Sequence, residues 1–244
     1  MSQITVIIPS YNYGAYLAEA IESVLVQTRK PLEIIVMDDA STDNTAEVAG
    51  RYPVCYIKNR VNLGLIENFN KGVSLAKGEY VMFLGADDRL RPDYLAKTAA
   101  TLDEDPTVAI AYSYMALFGP YAESIYKNEP ARQAGREGEF YLWRVRKFDP
   151  HRLEIGNYIH GSSLFLKQAF EEAGGFTQAS RSEDWQLWRK IVQHGWVAQL
   201  VPEYLLEYRQ HSHNQRNVAG IPILVIYLKR IVKTAIFRLG LNNY

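Results

Sequence analysis

ITVIIPSYN (residues 4–12), GAYLAEAIESVL (14–25) and LEIIVMDDAS (32–41) decide the fold. Ile4 to Pro9 is a β-rich apolar run. Tyr16, Leu17, Ala20, Ile21, Val24 and Leu25 then recur at helical spacing, and Leu32 to Met37 is a second apolar run. Strand, helix and strand in that order predict a parallel pair joined by a crossover helix. The alternation continues downstream. Ser41-Thr42-Asp43-Asn44 supplies helix-cap chemistry. Val54 to Ile57 reads as a third strand, and Leu65 to Ala76 as a helix stopped by Lys77-Gly78. Tyr80 to Leu84 is a fourth strand, Pro92 starts a helix, and Val108 to Tyr112 is a fifth strand. The prediction is an α/β fold, a mostly parallel sheet flanked by helices.

The pattern weakens from about Phe118 to Phe148, where Gly119-Pro120, Pro130, Gly135 and Gly138 interrupt it. That predicts a long, partly mobile excursion. Ile159 to Phe165 is strand-like and Asp184 to His194 is helical. Val197 to Tyr208 reads as two short strands around Pro202. Val218 to Leu239 reads as an apolar helix carrying Lys229, Arg230, Lys233 and Arg238.

Composition sets limits on function. The 244 residues are 48% apolar and 22% charged, which suits a soluble globular protein with a real core. Lys plus Arg and Asp plus Glu both number 27, which gives no case for a nucleic-acid partner. Cys55 is the only cysteine, so no intrachain disulfide forms. Its run Val54-Cys55-Tyr56-Ile57 predicts a buried structural thiol, and a reducing compartment fits. No basic segment precedes an apolar one at the start, and no stretch of about 18 uncharged apolar residues occurs, so a cytoplasmic chain is expected.

Three strands end in abrupt polar clusters: Pro9-Ser10-Tyr11-Asn12, Asp38-Asp39-Ala40-Ser41 and Gly85-Ala86-Asp87-Asp88. Open parallel sheets bind ligands outside the carboxyl ends of their strands, so these clusters should share one rim. Two paired-acid turns on one rim repel unless something compensates. A hard divalent cation held by carboxylates and substrate phosphates does so. No G-x-G-x-x-G follows the first strand and no G-x-x-x-x-G-K-[ST] occurs, which removes the main support for dinucleotide oxidoreduction and P-loop phosphoryl transfer.

The ordered pieces VIIPSYNYGAYLAEAIESVLVQT, IIVMDDASTDNT, NLGLIENFNKG, KGEYVMFLGADDRLRPDYL, GGF, SEDWQLW and YRQH cover about residues 4 to 214. Together they resemble the family 2 glycosyltransferases, inverting enzymes with the Rossmann-like GT-A fold. The resemblance implies transfer of a sugar from a nucleotide-diphosphate donor to a hydroxyl, with Mg²⁺ or Mn²⁺. The acceptor would be a saccharide or lipid-linked saccharide, in cell-surface polysaccharide or glycolipid synthesis. Residues 1–115 would be the nucleotide-sugar half and 116–216 the acceptor half of one GT-A domain, followed by an amphipathic helix over 217–244. Pro9, Tyr11 and Asp39 would line the nucleobase pocket, Asp39 by accepting from a base N–H, with Asn12 shaping the turn beneath. Asp87 and Asp88 stand where the family's DxD-type motif contacts ribose and the cation. Asp184 stands where the family places its base, and His211 near the diphosphate and metal.

The chain departs from the family at two places. Gly85 stands where many members have the first Asp, which leaves the metal ligand open between Asp87 and Asp88. Phe69 stands where many carry a basic residue, with Lys71 a candidate substitute.

Other roles stay open beside these. Asp38 could be a capping residue only, and Asp184 an acidic first turn favoured by the helix dipole. His160 could face the acceptor or sit in the core. Trp185 and Trp188 read as packing residues, and Trp143, Arg144 and Arg146 as acceptor contacts or solvated surface. The tail could pack on the domain or a second subunit. It could instead lie in the inner face of a membrane, with its basic residues near anionic headgroups. A sugar nucleotidylyltransferase would carry a Gly-rich basic loop after the first strand, which Pro9-Ser10-Tyr11-Asn12 is not. A non-catalytic sugar-nucleotide-binding protein or an assembly subunit would need neither Asp184 nor a cation.

Overall fold

β1 (Ile4–Ser10), α1 (Gly14–Leu25) and β2 (Glu33–Asp38) form the predicted parallel unit, with Val6 beside Ile34 and Ser10 beside Asp38. The computed structural model describes residues 2–177 and 182–212. α1 buries Leu17, Ala20, Ile21 and Val24, the face its 3.6-residue period predicts. Next come α2 (Thr45–Ala49), β3 (Cys55–Lys58), α3 (Leu65–Leu75) and β4 (Tyr80–Phe83). β3 adds outside β2, and β4 pairs with β1 on its other side, both in parallel.

The second half completes the same sheet. β5 (Arg89–Leu90), α4 (Tyr94–Glu104), β6 (Val108–Phe118), α5 (Ala122–Lys127), β7 (Gln133–Glu137) and β8 (Phe140–Trp143) follow in order. Then come α6 (Pro150–Ile155), β9 (Leu164–Leu166), α7 (Lys167–Glu172), α8 (Glu183–Gln193) and β10 (Val197–Arg209). The main strand order is β3-β2-β1-β4-β9-β6-β10-β5. β9 runs antiparallel to both β4 and β6, so those two share a direction, and β10 is parallel to β6. The carboxyl ends of β1, β2, β4, β6 and β10 therefore open on one rim, as the polar strand ends predict. The largest fully buried side chains include Ile7, Met37, Met82, Tyr112, Phe165 and Trp188, so the core runs through both halves. Fully burying one such apolar side chain stabilises by about 1.5–3 kcal/mol.

Four sequence expectations are corrected. Cys55 is exposed, because β3 is an edge strand with only β2 beside it. Residues 118–148 are not a featureless excursion. They hold α5 and the β7–β8 hairpin, and β8 pairs antiparallel with β6. Of the strand-like run 159–165, only Leu164 and Phe165 lie in β9; the rest is loop. Val197 to Tyr208 belongs to one strand rather than two. Its register with β6 shifts between Val201 and Tyr204, around Pro202, which has no N–H for the ladder. The tail helix expected over 217–244 lies outside the described residues.

Candidate active site

The first two polar turns are built as one unit. Asn12 adopts φ 58°, a left-handed conformation that Asn tolerates better than most residues. From there its N–H donates to Ser41 Oγ at 2.9 Å, and its Oδ1 accepts from the Thr42 N–H at 2.8 Å. Pro9 lies opposite Met37 in the ladder, and Tyr11 projects at 49% exposure. Asn12 thus shapes the turn on which Tyr11 is presented.

Asp38 and Asp39 divide their work. Asp38 is fully buried and accepts from the Ser41 N–H at 2.8 Å and from the Tyr56 hydroxyl, so it is structural. Asp39 accepts from Asn59 Nδ2 at 2.9 Å, Leu63 N–H at 2.8 Å and Gly64 N–H at 2.9 Å. A carboxylate offers about four lone-pair sites. Asp39 therefore orders the 59–64 loop and keeps about one lone-pair site beyond these three donors. Lys71 donates to Asn59 Oδ1 at 2.6 Å, and Asn59 donates to Asn68 Oδ1 at 2.9 Å. Lys71 is thus tied to the Asp39 network. Phe69 stacks on Phe83 with centroids 4.4 Å apart and meets Phe176 edge-on at 5.2 Å. The position where the family resemblance implies a basic residue is filled by an aromatic cluster.

Asn70, the next residue of α3, holds the Gly174-Gly175-Phe176 turn. Its Nδ2 donates to the Phe176 carbonyl at 2.9 Å and its Oδ1 accepts from the Phe176 N–H at 3.0 Å. Gly175 has φ 65°, and a Cβ there would stand 2.9 Å from Asn70 Oδ1, so glycine is required twice over.

The acidic turn follows β4. A Cβ on Gly85 would stand 2.9 Å from both Asp87 Oδ1 and Asp88 Oδ2. The space of the missing first Asp is therefore filled by the two carboxylates that remain. Asp87 Oδ2 lies 2.9 Å from His211 Nε2, and His211 stacks on Tyr16 with centroids 4.9 Å apart. Asp88 Oδ1 accepts from the Arg209 N–H at 2.9 Å. Burial and then the Asp87 charge push the Asp88 carboxyl well above its ordinary range, against the opposing effect of Arg209. Burial and Asp87 also raise the Tyr13 phenol.

Asp87, Asp88 and His211 thus come together, and their geometry can be compared with a cation's needs. Cis ligands at about 2.1 Å on an octahedral ion lie about 3 Å apart. Asp87 Oδ2 and His211 Nε2 are 2.9 Å apart in a direct hydrogen-bonding contact, and a cation taking both atoms as ligands would replace the proton between them. Among the described residues no three His, Cys, Asp or Glu side chains close on one cation, so donor phosphates and water would complete the shell.

Asp184 opens α8. Its Oδ2 accepts from Asn157 Nδ2 at 3.0 Å and its Oδ1 from the Trp185 N–H at 2.7 Å. A Cβ on Gly161 would stand 3.6 Å from Asp184 Oδ2. The 157–163 loop feeds β9, whose Leu164 pairs with Met82 next to the end of β4 and with Ala111 of β6, so it lies over the carboxyl end of β4. Asp184 therefore faces the same rim as the acidic turn. Trp185 and Trp188 are buried, as their packing role predicts, and Trp185 Nε1 donates to the Leu153 carbonyl.

Part of His160 reaches the surface, but its Nδ1 is sealed without a partner while Nε2 accepts from the Ser113 N–H at 3.3 Å. Burial lowers its pKa from 6.5 to about 4. It is a neutral structural histidine. The unfolded chain takes up this proton near 6.5 and the folded chain only near 4, so stability is lost as pH falls through that window. The expected slope is at most about 1.4 kcal/mol per pH unit. Chemical denaturation from pH 7 to 4 should be flatter for His160→Gln than for wild type; equal slopes exclude His160 as the source.

Sequence reasoning missed Asn157, Asn59, Glu19 and Arg209. Arg209 was within reach, since it sits inside the YRQH piece.

The model for glycosyl transferase family 2 matches residues 5–174. The chain belongs to glycosyl transferase family 2. An uncharacterized glycosyltransferase of Haemophilus influenzae is 28% identical over 198 residues, covering 78% of this chain and 62% of the relative. S. aureus TarS 1–349, solved in complex with UDP-GlcNAc, superposes with a TM-score of 0.67 at 17% identity, over 87% of this chain and 60% of that one. The mannosyltransferase PcManGT from Pyrobaculum calidifontis, in complex with GDP-Man and Mn2+, gives 0.64 at 23% identity, over 90% and 59%. The family 2 chain therefore has the GT-A fold its sequence predicts, and it spans about three-fifths of each of these proteins. Among the described residues no helix is long and apolar enough to cross a membrane.

Proposed function

We propose that this chain transfers a sugar, with inversion, from a nucleoside-diphosphate sugar to an acceptor hydroxyl. One observation carries the reading. An acidic turn with a histidine, and a separately anchored carboxylate, face one rim at the carboxyl ends of a parallel sheet. The nucleotide would lie between Tyr11 and the Asp39–Asn59–Lys71 network, with its diphosphate toward Asp87, Asp88 and His211. Asp87 and His211, with Asp88 beside them, would hold Mg²⁺ or Mn²⁺ together with donor phosphates and water, and the cation would offset charge developing on the leaving diphosphate. Asp184 would accept the proton of the acceptor hydroxyl as its oxygen attacks the anomeric carbon from the opposite face. Asn157 and the Trp185 N–H hold that carboxylate in place and leave lone pairs for the incoming proton. The solved neighbours bound to UDP-GlcNAc and to GDP-Man with Mn2+ support a nucleotide-sugar donor and a divalent cation.

A panel of nucleotide sugars, with released nucleoside diphosphate measured with and without Mn²⁺, tests the reading. Cation-dependent release from at least one donor is expected, and its loss in Asp87→Ala. Turnover unaffected by chelator would remove the cation from the reading. No release from any donor, with nucleotide binding retained, would make the chain a binding protein.

A further inference from the structure

We propose that Arg209, braced by Glu19, is the positioning residue that holds the acidic turn and the His211 segment in register for cation and diphosphate binding; this rests on the function proposed above. Arg209 ends β10 and contacts both acidic residues. Its backbone N–H donates to Asp88 Oδ1 at 2.9 Å, and its Nε donates to the Asp87 carbonyl at 2.8 Å. His211 lies two residues on. The segment between is fixed by the Gln210 N–H donating to the Phe118 carbonyl at 2.8 Å and the Tyr121 N–H donating to the Gln210 carbonyl at 3.1 Å. One residue thus sets the spacing between the two chain segments that meet at Asp87 and His211.

The guanidinium is itself held on three sides. Its Nη2 pairs with Glu19 Oε2 at 2.7 Å, and its carbon lies 5.0 Å from the Tyr16 centroid and 4.3 Å from that of Phe118. Tyr16 and Glu19 are three apart on α1, so one helix face supplies ring and carboxylate together. Glu19 also accepts from Arg89 Nη1 at 3.0 Å. Arg89 stands 4.3 Å from the same Phe118 ring and donates to Glu207 Oε2 at 2.8 Å. Arg89 directly follows Asp88, so both ends of the bracket grip the acidic turn. A lysine at 209 would keep the charge but could not bond the Asp87 carbonyl, pair with Glu19 and stack flat at once.

An ordinary stabilising ion pair would look similar on paper, so the test separates fold from site. Mn²⁺ is titrated in the presence of UDP or GDP, whichever wild type binds, and thermal unfolding is followed on the same samples. Glu19 is 42% exposed at its side chain, so Glu19→Gln should move Tm by no more than about 2 °C. It should raise the Mn²⁺ concentration at half-saturation about 10-fold. Arg209→Lys should raise it roughly 10–100-fold, the range typical for residues that support metal ligands. The double variant should be no worse than Arg209→Lys, because both act through one contact path. Half-saturation within twofold of wild type in a folded Glu19→Gln overturns the proposal while leaving the functional reading intact. The same follows if Arg209→Lys loses Mn²⁺ affinity only where it also melts. If wild type itself shows no nucleotide-dependent Mn²⁺ binding, the functional reading of the turn falls first and takes the proposal with it.

Discussion

Asp184→Asn is expected to slow sugar transfer by roughly 10²–10⁴-fold, the usual contribution of a positioned general base, while nucleotide affinity stays at the wild-type value. The expectation comes from where the side chain is held. Both Asp184 oxygens accept from N–H groups, one from Asn157 Nδ2 and the other from the Trp185 backbone. The asparagine amide must turn its NH₂ toward one of these donors, which disturbs one hydrogen bond but leaves the packing of Trp185 and Trp188 intact. Thermal unfolding on the same preparation measures that local cost. Glu183→Gln is the control. It removes the same charge one residue away on the same helix turn, so a general field effect would slow both variants alike. Single-turnover transfer and nucleotide titration, run on wild type and both variants with the donor found in the panel, decide the matter. A near wild-type rate for Asp184→Asn would make Asp184 a helix-start residue only, and the base would have to be sought elsewhere around Gly161 and Asn157.

The donor half was legible because its periods are clean. Ile4–Ser10, Glu33–Asp38 and Tyr80–Phe83 are buried nearly throughout, so each reads as an apolar run that stops at a polar turn. The face of α1 follows from spacing alone. Residues 118–148 gave no such signal, because β7 is almost wholly exposed and has no apolar period to read. Its order comes from a cross-hairpin contact, Arg136 over Tyr141, and from Arg91, which lies over Phe140 and pairs with Glu137. Gly119, Gly135 and Gly138, read as breaks, all have positive φ and shape the turns of this segment. Cys55 misled for the opposite reason. Its run is apolar enough for a buried strand, but β3 has a neighbour on one side only.

The candidate site divides along the same line. Of the side chains proposed to act through their own chemistry, Asp87 and Asp88 were visible as an acidic pair after a strand, and Asp184, at a helix start, through the family resemblance. The groups that hold them act through geometry. Arg209 reaches Asp88 with a backbone N–H, which any residue but proline possesses, and Asn157 reaches Asp184 from a loop without periodicity. The donors that fill Asp39 include the backbone N–H groups of Leu63 and Gly64, equally silent in sequence.

Asp88→Asn should separate function from stability in the acidic turn. Transfer is expected to fall roughly 10²–10³-fold, the range seen when one preorganised electrostatic group is removed from a site. The fold, however, should gain. Asp88 is 3% exposed, and burial together with the Asp87 charge raises its carboxyl well above the ordinary 3.8. The sign follows from proton counts. Above 3.8 the unfolded chain has released this proton while the folded chain still holds it, so folding becomes less favourable as pH rises to the folded value, and the full cost persists beyond it. Asparagine keeps an Oδ1 to accept from Arg209 and carries no charge to desolvate. A gain of roughly 1 kcal/mol, or about 2–4 °C in Tm for a domain of this size, is expected at pH 7.5. The gain should shrink on acidification toward pH 4, where the unfolded chain begins to take up the proton that the folded chain already holds. Asp87→Asn should lose transfer with a smaller gain, since it relieves only the charge contribution at Asp88 and gives up the hydrogen-bonding contact with His211 at 2.9 Å. Calorimetric melts of the three proteins across this pH range, beside their transfer rates, test both halves. A destabilised Asp88→Asn at neutral pH, or a gain that grows on acidification, would contradict the burial argument. Undiminished transfer would remove Asp88 from the cation site.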